Sequence, residues 1–252
     1  MGEQRIPGID GTGVIVTGAA SGIGRGAALL AARSGASVVA GDRNDALLAD
    51  LDVQAKEEGL AIRTVHLDVG SSESISAFVA AGSEAGSGLY GVVHAAAVAV
   101  ERPSLDIDPA FWDDVLRINL TGTFVLAREA GRVMIARGTG GSIVNVASAA
   151  AVAGSVRLAP YTATKAGVVA LGKSLAQEWG PLGIRVNTVS PGAVDTPLYH
   201  SQPTRRDTID KLPLPRIGTP EDIALAIGFF LGDQSPWITG QNLNVNGGAL
   251  MI

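Results

Sequence analysis

Short apolar runs alternate along this chain with longer stretches in which apolar residues recur every three or four positions. The short runs are GVIVTG (13–18), SVVAGD (37–42), AIRTVHL (61–67), GVVHAA (91–96), SIVNVAS (142–148), IRVNTVS (184–190) and NLNVN (242–246). They are rich in valine and mostly uninterrupted, the pattern of strands buried on both faces. The stretches between them have helical periodicity; IGRGAALLAARSG (23–35), for example, ends on a glycine cap. Strand–helix alternation repeated this often predicts an α/β protein: a seven-stranded parallel sheet with helices on both faces. No linker or low-complexity tract divides the chain, so residues 1–252 are expected to form a single domain. One region, 196–220, is irregular. It holds five of the twelve prolines (197, 203, 213, 215 and 220) and reads as a flap over a substrate.

Composition narrows the function. Hydrophobic residues make up 46% of the 252 positions and aromatics only 4%, so the core is expected to be aliphatic. The net charge of −5 and the absence of a basic run argue against nucleic acid. The absence of cysteine excludes disulfides, thiol catalysis and Cys-bound zinc. Three scattered histidines, 66, 94 and 200, fall in no ligand spacing, so no metal site is expected. The charge-free stretch 138–156 is long enough to span a bilayer but is broken by Gly, Ser and Asn145, so no membrane partner is expected. The first residues lack the basic and apolar regions of a signal peptide, and a cytoplasmic protein is expected.

The first apolar run leads into TGAASGIG, 17–24, and then into a helical pattern. Gly18, Gly22 and Gly24 are not spaced as G-x-G-x-x-G, but the physics is shared: a tight turn, close approach of backbone N–H groups to a pyrophosphate, and a helix N-terminus aimed at its charge. The second run ends on Asp42, eighteen residues after Gly24. An acid there accepts the hydroxyls of an adenosine ribose, as in NAD, and repels the 2′-phosphate of NADP. Arg43 follows immediately and is the counter-signal, since an arginine is able to hold that phosphate. No serine sits in G-x-S-x-G, which argues against a serine hydrolase.

Eight motifs in order then make the chain resemble the short-chain dehydrogenase/reductase family from about Gly13 to Gly248: TGAASGIG (17–24), LDV (67–69), HAAA (94–97), RINLTGTF (117–124), SIVNVAS (142–148), YTATK (161–165), SPGAVDTP (190–197) and ITGQNLNVNGG (238–248). The resemblance implies a Rossmann-type doubly wound sheet and an NAD-dependent oxidoreductase acting on a secondary alcohol or ketone. It implies a catalytic set of Asn119, Ser148, Tyr161 and Lys165. A free phenol has a pKa near 10, and a neighbouring ammonium favours the phenolate, so Tyr161 would exchange the proton of the reacting oxygen. Ser148 would position that oxygen. Lys165 would also hold the nicotinamide ribose, and Asn119 would support a water leading to solvent.

By the same resemblance Gly18, Ser21, Gly22, Ile23 and Gly24 would meet the pyrophosphate. Asp42 and Arg43 would meet the adenosine ribose, and Asp68 and Val69 would border the adenine. Ala95 and Ala96 would contribute backbone contacts. Pro191, Gly192, Val194 and Thr196 would meet the nicotinamide. The substrate would face Ala149 to Gly154, Leu158, Gly192 and Leu198 to His200, with Arg102 and Arg157 in possible reach. Relatives are usually tetramers, so a homotetramer is expected, paired through helices at about 111–137 and 160–179 and through the C-terminal strand region. The family commonly has Asn-Asn-Ala-Gly where this chain has His94-Ala95-Ala96-Ala97; His94 reads as a structural substitute. The nearest rival is an NADPH-dependent 3-oxoacyl-carrier-protein reductase, with Arg128, Arg132 and Arg137 as its docking patch. A dinucleotide sensor without catalysis is the minor alternative.

Overall fold

The computed structural model describes residues 5–202 and 212–251. Seven strands form one sheet: β1 (Gly13–Thr17), β2 (Ser37–Asp42), β3 (Ile62–His66), β4 (Leu89–His94), β5 (Gly141–Val146), β6 (Ile184–Pro191) and β7 (Asn242–Val245). Their order is β3-β2-β1-β4-β5-β6-β7, and each neighbouring pair runs parallel. The helices are α1 (Gly22–Arg33), α2 (Asp45–Glu57), α3 (Ser72–Ser83), α4 (Pro109–Leu116), α5 (Gly122–Arg137), α6 (Ala150–Ala153), α7 (Ala159–Trp179), α8 (Pro197–His200) and α9 (Pro220–Leu231). This is the doubly wound architecture the alternation predicts. Strand ends differ from expectation by at most two residues. The larger overshoots are at the carboxyl ends of β4 and β5, where Ala95, Ala96, Ala147 and Ser148 leave the sheet to form the site.

Successive strand residues serve opposite layers. Val14, Val16, Val38, Val144 and Val189 pack with α1 and α9, whereas Ile15, Val39, Val92, Ile143 and Val186 pack with α3, α5 and α7. A buried aliphatic side chain contributes about 1.5–3 kcal/mol relative to an exposed one. A one-residue slip would exchange the layers of a whole strand, so the two-sided burial fixes register.

The expected single helix over 111–137 is not continuous. It begins at Pro109, capped by Asp108, whose carboxylate accepts from Phe111 N at 2.8 Å. One π-helical turn, Arg117–Thr121, then separates α4 from α5. The break is set from outside the helix. Asn119 locks onto the chain leaving β4, and a Cβ on Gly122 would collide with the Val69 carbonyl. The stretch 138–156 holds β5 and the short α6, and no helix of the described residues is long and apolar enough to cross a membrane. The expected flap at 196–220 falls partly outside the described residues. Of the rest, α8 is capped by Thr196, and Gly218 bridges back to Val194. Arg216 grips Asp222 with two bonds, 2.6 and 2.9 Å, at the start of α9.

Candidate active site

Strand order reverses at β1, which lies between β2 and β4. In open α/β sheets ligands bind beyond the carboxyl ends of the strands at such a point. A cleft of about 380 Å³ opens there, lined by Gly18, Ser21, Gly22, Ile23, Gly24, Asp42, Arg43, Asp68, Val69, Ala95, Ala96 and Thr196. The glycine positions of the turn from β1 into α1 have no room for a side chain. Gly18 is left-handed, φ +67°, and a Cβ there would lie 2.8 Å from Ala96 N. A Cβ on Gly24 would enter the Gly18 carbonyl. The N-cap residue of α1, Ser21, makes no side-chain cap bond, and the first turn of the helix holds no acid. Asp42 ends β2 at the far side of the cleft. Its carboxylate accepts from Ala20 N at 3.2 Å and from Asn44 N at 3.0 Å, which fixes it with lone pairs to spare. Arg43 is exposed beside it. A close-approach glycine loop, a helix N-terminus and a fixed acid with lone pairs to spare would fit the adenine half and pyrophosphate of a dinucleotide.

A second, smaller cavity of about 80 Å³ adjoins the cleft. Ser148, Tyr161 and Lys165 line it together with Pro191, Gly192, Val194 and Thr196. All of the catalytic residues expected from the sequence are buried: Asn119 1% exposed, Lys165 3%, Ser148 6% and Tyr161 8%. Tyr161 and Lys165 stack on one face of α7, and the Lys165 ammonium lies 5.7 Å from the centre of the phenol ring. Lys165 Nζ donates to the Val146 carbonyl at 2.7 Å, which tethers it to the end of β5. Burial disfavours its charged form and brings its pKa down to about 8. Ser148 Oγ accepts from Ala150 N at 3.1 Å.

Asn119 belongs to the same assembly but does not line the cavity. Its amide makes a double bond-pair with Val98, accepting from N at 2.9 Å and donating to O at 2.8 Å. It also donates to Thr164 Oγ1 at 3.3 Å, and that hydroxyl donates to the Tyr161 carbonyl at 2.7 Å. The side chain thus ties the β4 exit to the first turns of α7.

Beneath the cavity runs a row of buried polar side chains in register: Thr17, His94, Asn145 and Thr188, on β1, β4, β5 and β6. Thr17 Oγ1 and His94 Nδ1 are 2.7 Å apart, and Thr17 Oγ1 accepts from Ala96 N at 3.2 Å. Burial, with a smaller contribution from the Lys165 charge, drives the His94 pKa down to about 3. His94 is therefore a neutral member of the sheet at ordinary pH.

Several substrate-wall expectations are corrected. Ala149 to Gly154 do not line the cavity; they leave it as the short α6. Leu158 lies 1% exposed in a small cluster with Ala99, Ala150 and Tyr161, packed against the tyrosine. Arg102 sits over the Phe111 ring at 4.0 Å and pairs with Asp108 at 3.2 Å, and Arg157 is exposed; neither reaches inward. Gly192, Leu198 and Tyr199 do line the cavity, while His200 pairs outside it with Asp195 at 2.6 Å. Gln202 lines it too, and no motif pointed there. Among the described residues no cluster of acidic or histidine side chains has metal-holding geometry.

With this geometry in view, the likenesses to known proteins have a physical basis. A family model described as enoyl-(acyl carrier protein) reductase matches residues 18–249. The chain is 38% identical to D-threitol dehydrogenase of Mycolicibacterium smegmatis, covering 95% of this chain and 93% of that protein. It is 35% identical to an NAD-dependent glycerol dehydrogenase of Listeria innocua, covering 93% and 92%. It is 34% identical to the 3-oxoacyl-[acyl-carrier-protein] reductase of Thermotoga maritima, covering 96% and 99%. The crystal structure of a short-chain type dehydrogenase/reductase from Mycobacterium marinum superposes with a TM-score of 0.91 at 28% identity, over 97% and 98% of the two chains. The site is that of an oxidoreductase working on the alcohol–ketone couple. The chain belongs to the short-chain dehydrogenase/reductase family.

Proposed function

We propose that this protein is an NAD-dependent dehydrogenase of a secondary alcohol, with Tyr161 as the acid/base that exchanges the proton of the reacting oxygen. The observation that carries this reading is the buried trio of Ser148, Tyr161 and Lys165 on the wall of a cavity that opens from the glycine-loop cleft. Pro191, Gly192, Val194 and Thr196 would hold the nicotinamide, which when bound would supply or accept the hydride. Ser148 holds the substrate oxygen against Tyr161. Lys165, fixed on Val146, places a positive charge beside the phenol and favours the phenolate. Asn119 keeps the first turns of α7 in place through Val98 and Thr164. Leu198 and Tyr199 of α8 line the cavity and would cover a bound substrate against water.

Asp42 supports NAD over NADP, since its carboxylate stands on the cleft wall where a 2′-phosphate would be repelled. The carrier-protein reductase remains the second reading, favoured by the family model's description and the Thermotoga relative. The proposed docking arginines weaken it: Arg128 and Arg132 both pair with Glu129, and Arg137 turns back to the Ser87 carbonyl. The test is reduction of NAD and NADP with polyols, cyclic diols, hydroxysteroids and 3-hydroxyacyl thioesters. Turnover with NAD is expected, and Tyr161→Phe should lower kcat by about 10²–10⁴. Turnover with NADP and acyl thioesters alone would establish the second reading. Dinucleotide binding with no turnover of any alcohol would establish a sensor.

The assembly proposed is a cytoplasmic homotetramer. Two apolar faces support it: Trp112, Phe124 and Ile135 are partly exposed on α4 and α5, and Leu225, Phe229, Trp237 and Leu243 are exposed around α9 and β7. Light scattering should return four chains; a monomer would remove this part of the proposal.

A further inference from the structure

Gln202 closes the turn after α8, its N–H donating to the Tyr199 carbonyl at 3.1 Å. Its side chain is 3% exposed and lines the cavity that holds Ser148, Tyr161 and Lys165. Its Oε1 is buried without a hydrogen-bond partner. Other polar groups on that wall are engaged. Lys165 donates to Val146 O, Ser148 accepts from Ala150 N, and Thr196 accepts from Tyr199 N while donating to Val194 O at 3.3 Å. A buried amide is costly unless something completes its bonding. Apart from the Tyr161 and Tyr199 phenols, the remaining lining, including Ala95, Ala97, Val194 and Leu198, carries no polar side chain.

We propose that Gln202 reads a second hydroxyl of the substrate, next to the carbinol that reacts, so that the site selects neutral vicinal diols and polyols. The inference rests on the reading of Tyr161 as the acid/base. Gln202, Ser148 and Tyr161 line one cavity, so a group that meets Gln202 while the reacting oxygen meets Ser148 and Tyr161 belongs to a neighbouring position of the substrate. A hydroxyl donates as well as accepts, so it supplies the donor that Gln202 Oε1 lacks. A carboxylate would meet an acceptor oxygen and is disfavoured at this position.

The test compares butane-2,3-diol with butan-2-ol, and cyclohexane-1,2-diol with cyclohexanol, on wild type, Gln202→Met and Gln202→Leu. Methionine nearly preserves the side chain's volume and removes its hydrogen bonds, which guards against a folding artefact. Wild type should favour each diol by at least about tenfold in kcat/KM, and both variants should bring the ratio near one. A wild-type ratio near one, or a ratio that survives both substitutions, overturns the proposal. Equal losses on diol and mono-alcohol with a raised KM for NAD also overturn it, and would put Gln202 on the cofactor's carboxamide. If no alcohol is turned over, the catalytic reading fails separately. Calorimetric titration of each diol into the NADH complex then decides Gln202. Weaker diol binding in Gln202→Met sustains the proposal, and equal affinity or no binding to wild type overturns it.

Discussion

The cleft and the cavity share Ile23, Ala95, Ala97, Thr196 and Leu198, yet they are built from different materials. The cleft is made where side chains are missing. Gly18, Gly22 and Gly24 bring backbone close, and Asp42 at the far end is fixed by two backbone donors. The cavity is made where polar side chains are forced inside. Ser148, Tyr161 and Lys165 are nearly buried, and Thr17, His94, Asn145 and Thr188 extend the polar row beneath them. A backbone surface is suited to holding a large ligand whose charge is spread over a pyrophosphate. A buried ammonium beside a phenol is suited to changing where one proton resides.

If the two regions are separable in this way, each should fail alone. The first failure to look for is in the cleft. Gly24→Val would drive a branched side chain into the Gly18 carbonyl. NADH affinity, read by fluorescence titration, should fall at least about 100-fold. Circular dichroism should show the sheet and helices retained. Tyr161→Phe should do the reverse, removing turnover while NADH affinity changes by less than about threefold. A Gly24→Val protein that binds NADH like wild type would break the comparison at its first half.

The same division governs what was legible in the sequence. The five inner strands are buried on both sides and must be apolar, so they showed as valine-rich runs, while the edge strands β3 and β7 are only partly buried. The glycine loop showed because glycine is the residue that such close approach requires. Tyr161 and Lys165 showed through helical spacing, and the spacing survives burial. The break at Arg117–Thr121 was not legible, because a π turn adds about one residue and leaves the apolar periodicity nearly intact. Its causes are long-range: the Asn119 bonds to Val98 and the close contact of Gly122 with Val69. Arg102 misled for a similar reason, since its hold on Phe111 and Asp108 depends on where α4 begins. Gln202 carried no signal at all; its burial follows from how the chain turns after α8.

His94 sharpens the comparison most finely, because it belongs to the polar row and never titrates in the folded protein under ordinary conditions. Its folded pKa is about 3, lowered chiefly by burial and further by the Lys165 charge, against about 6.5 when unfolded. The sign follows from proton counting. Between pH 6.5 and 3 the unfolded chain binds a proton at His94 and the folded chain does not, so acid favours unfolding there. At pH 5 this should cost wild type about 2 kcal/mol relative to pH 7.5. His94→Asn keeps a polar partner for Thr17 and has no proton to bind. Urea unfolding of both proteins at the two pH values isolates the residue, because the other titrating groups cancel in the difference. The gap between wild type and variant should shift by about 2 kcal/mol in favour of the variant on going to pH 5. A gap independent of pH would mean that His94 charges freely in the folded state. The row beneath the cavity would then be open to water, and the contrast between a cleft built of backbone and a cavity built of buried polar side chains would fall with it.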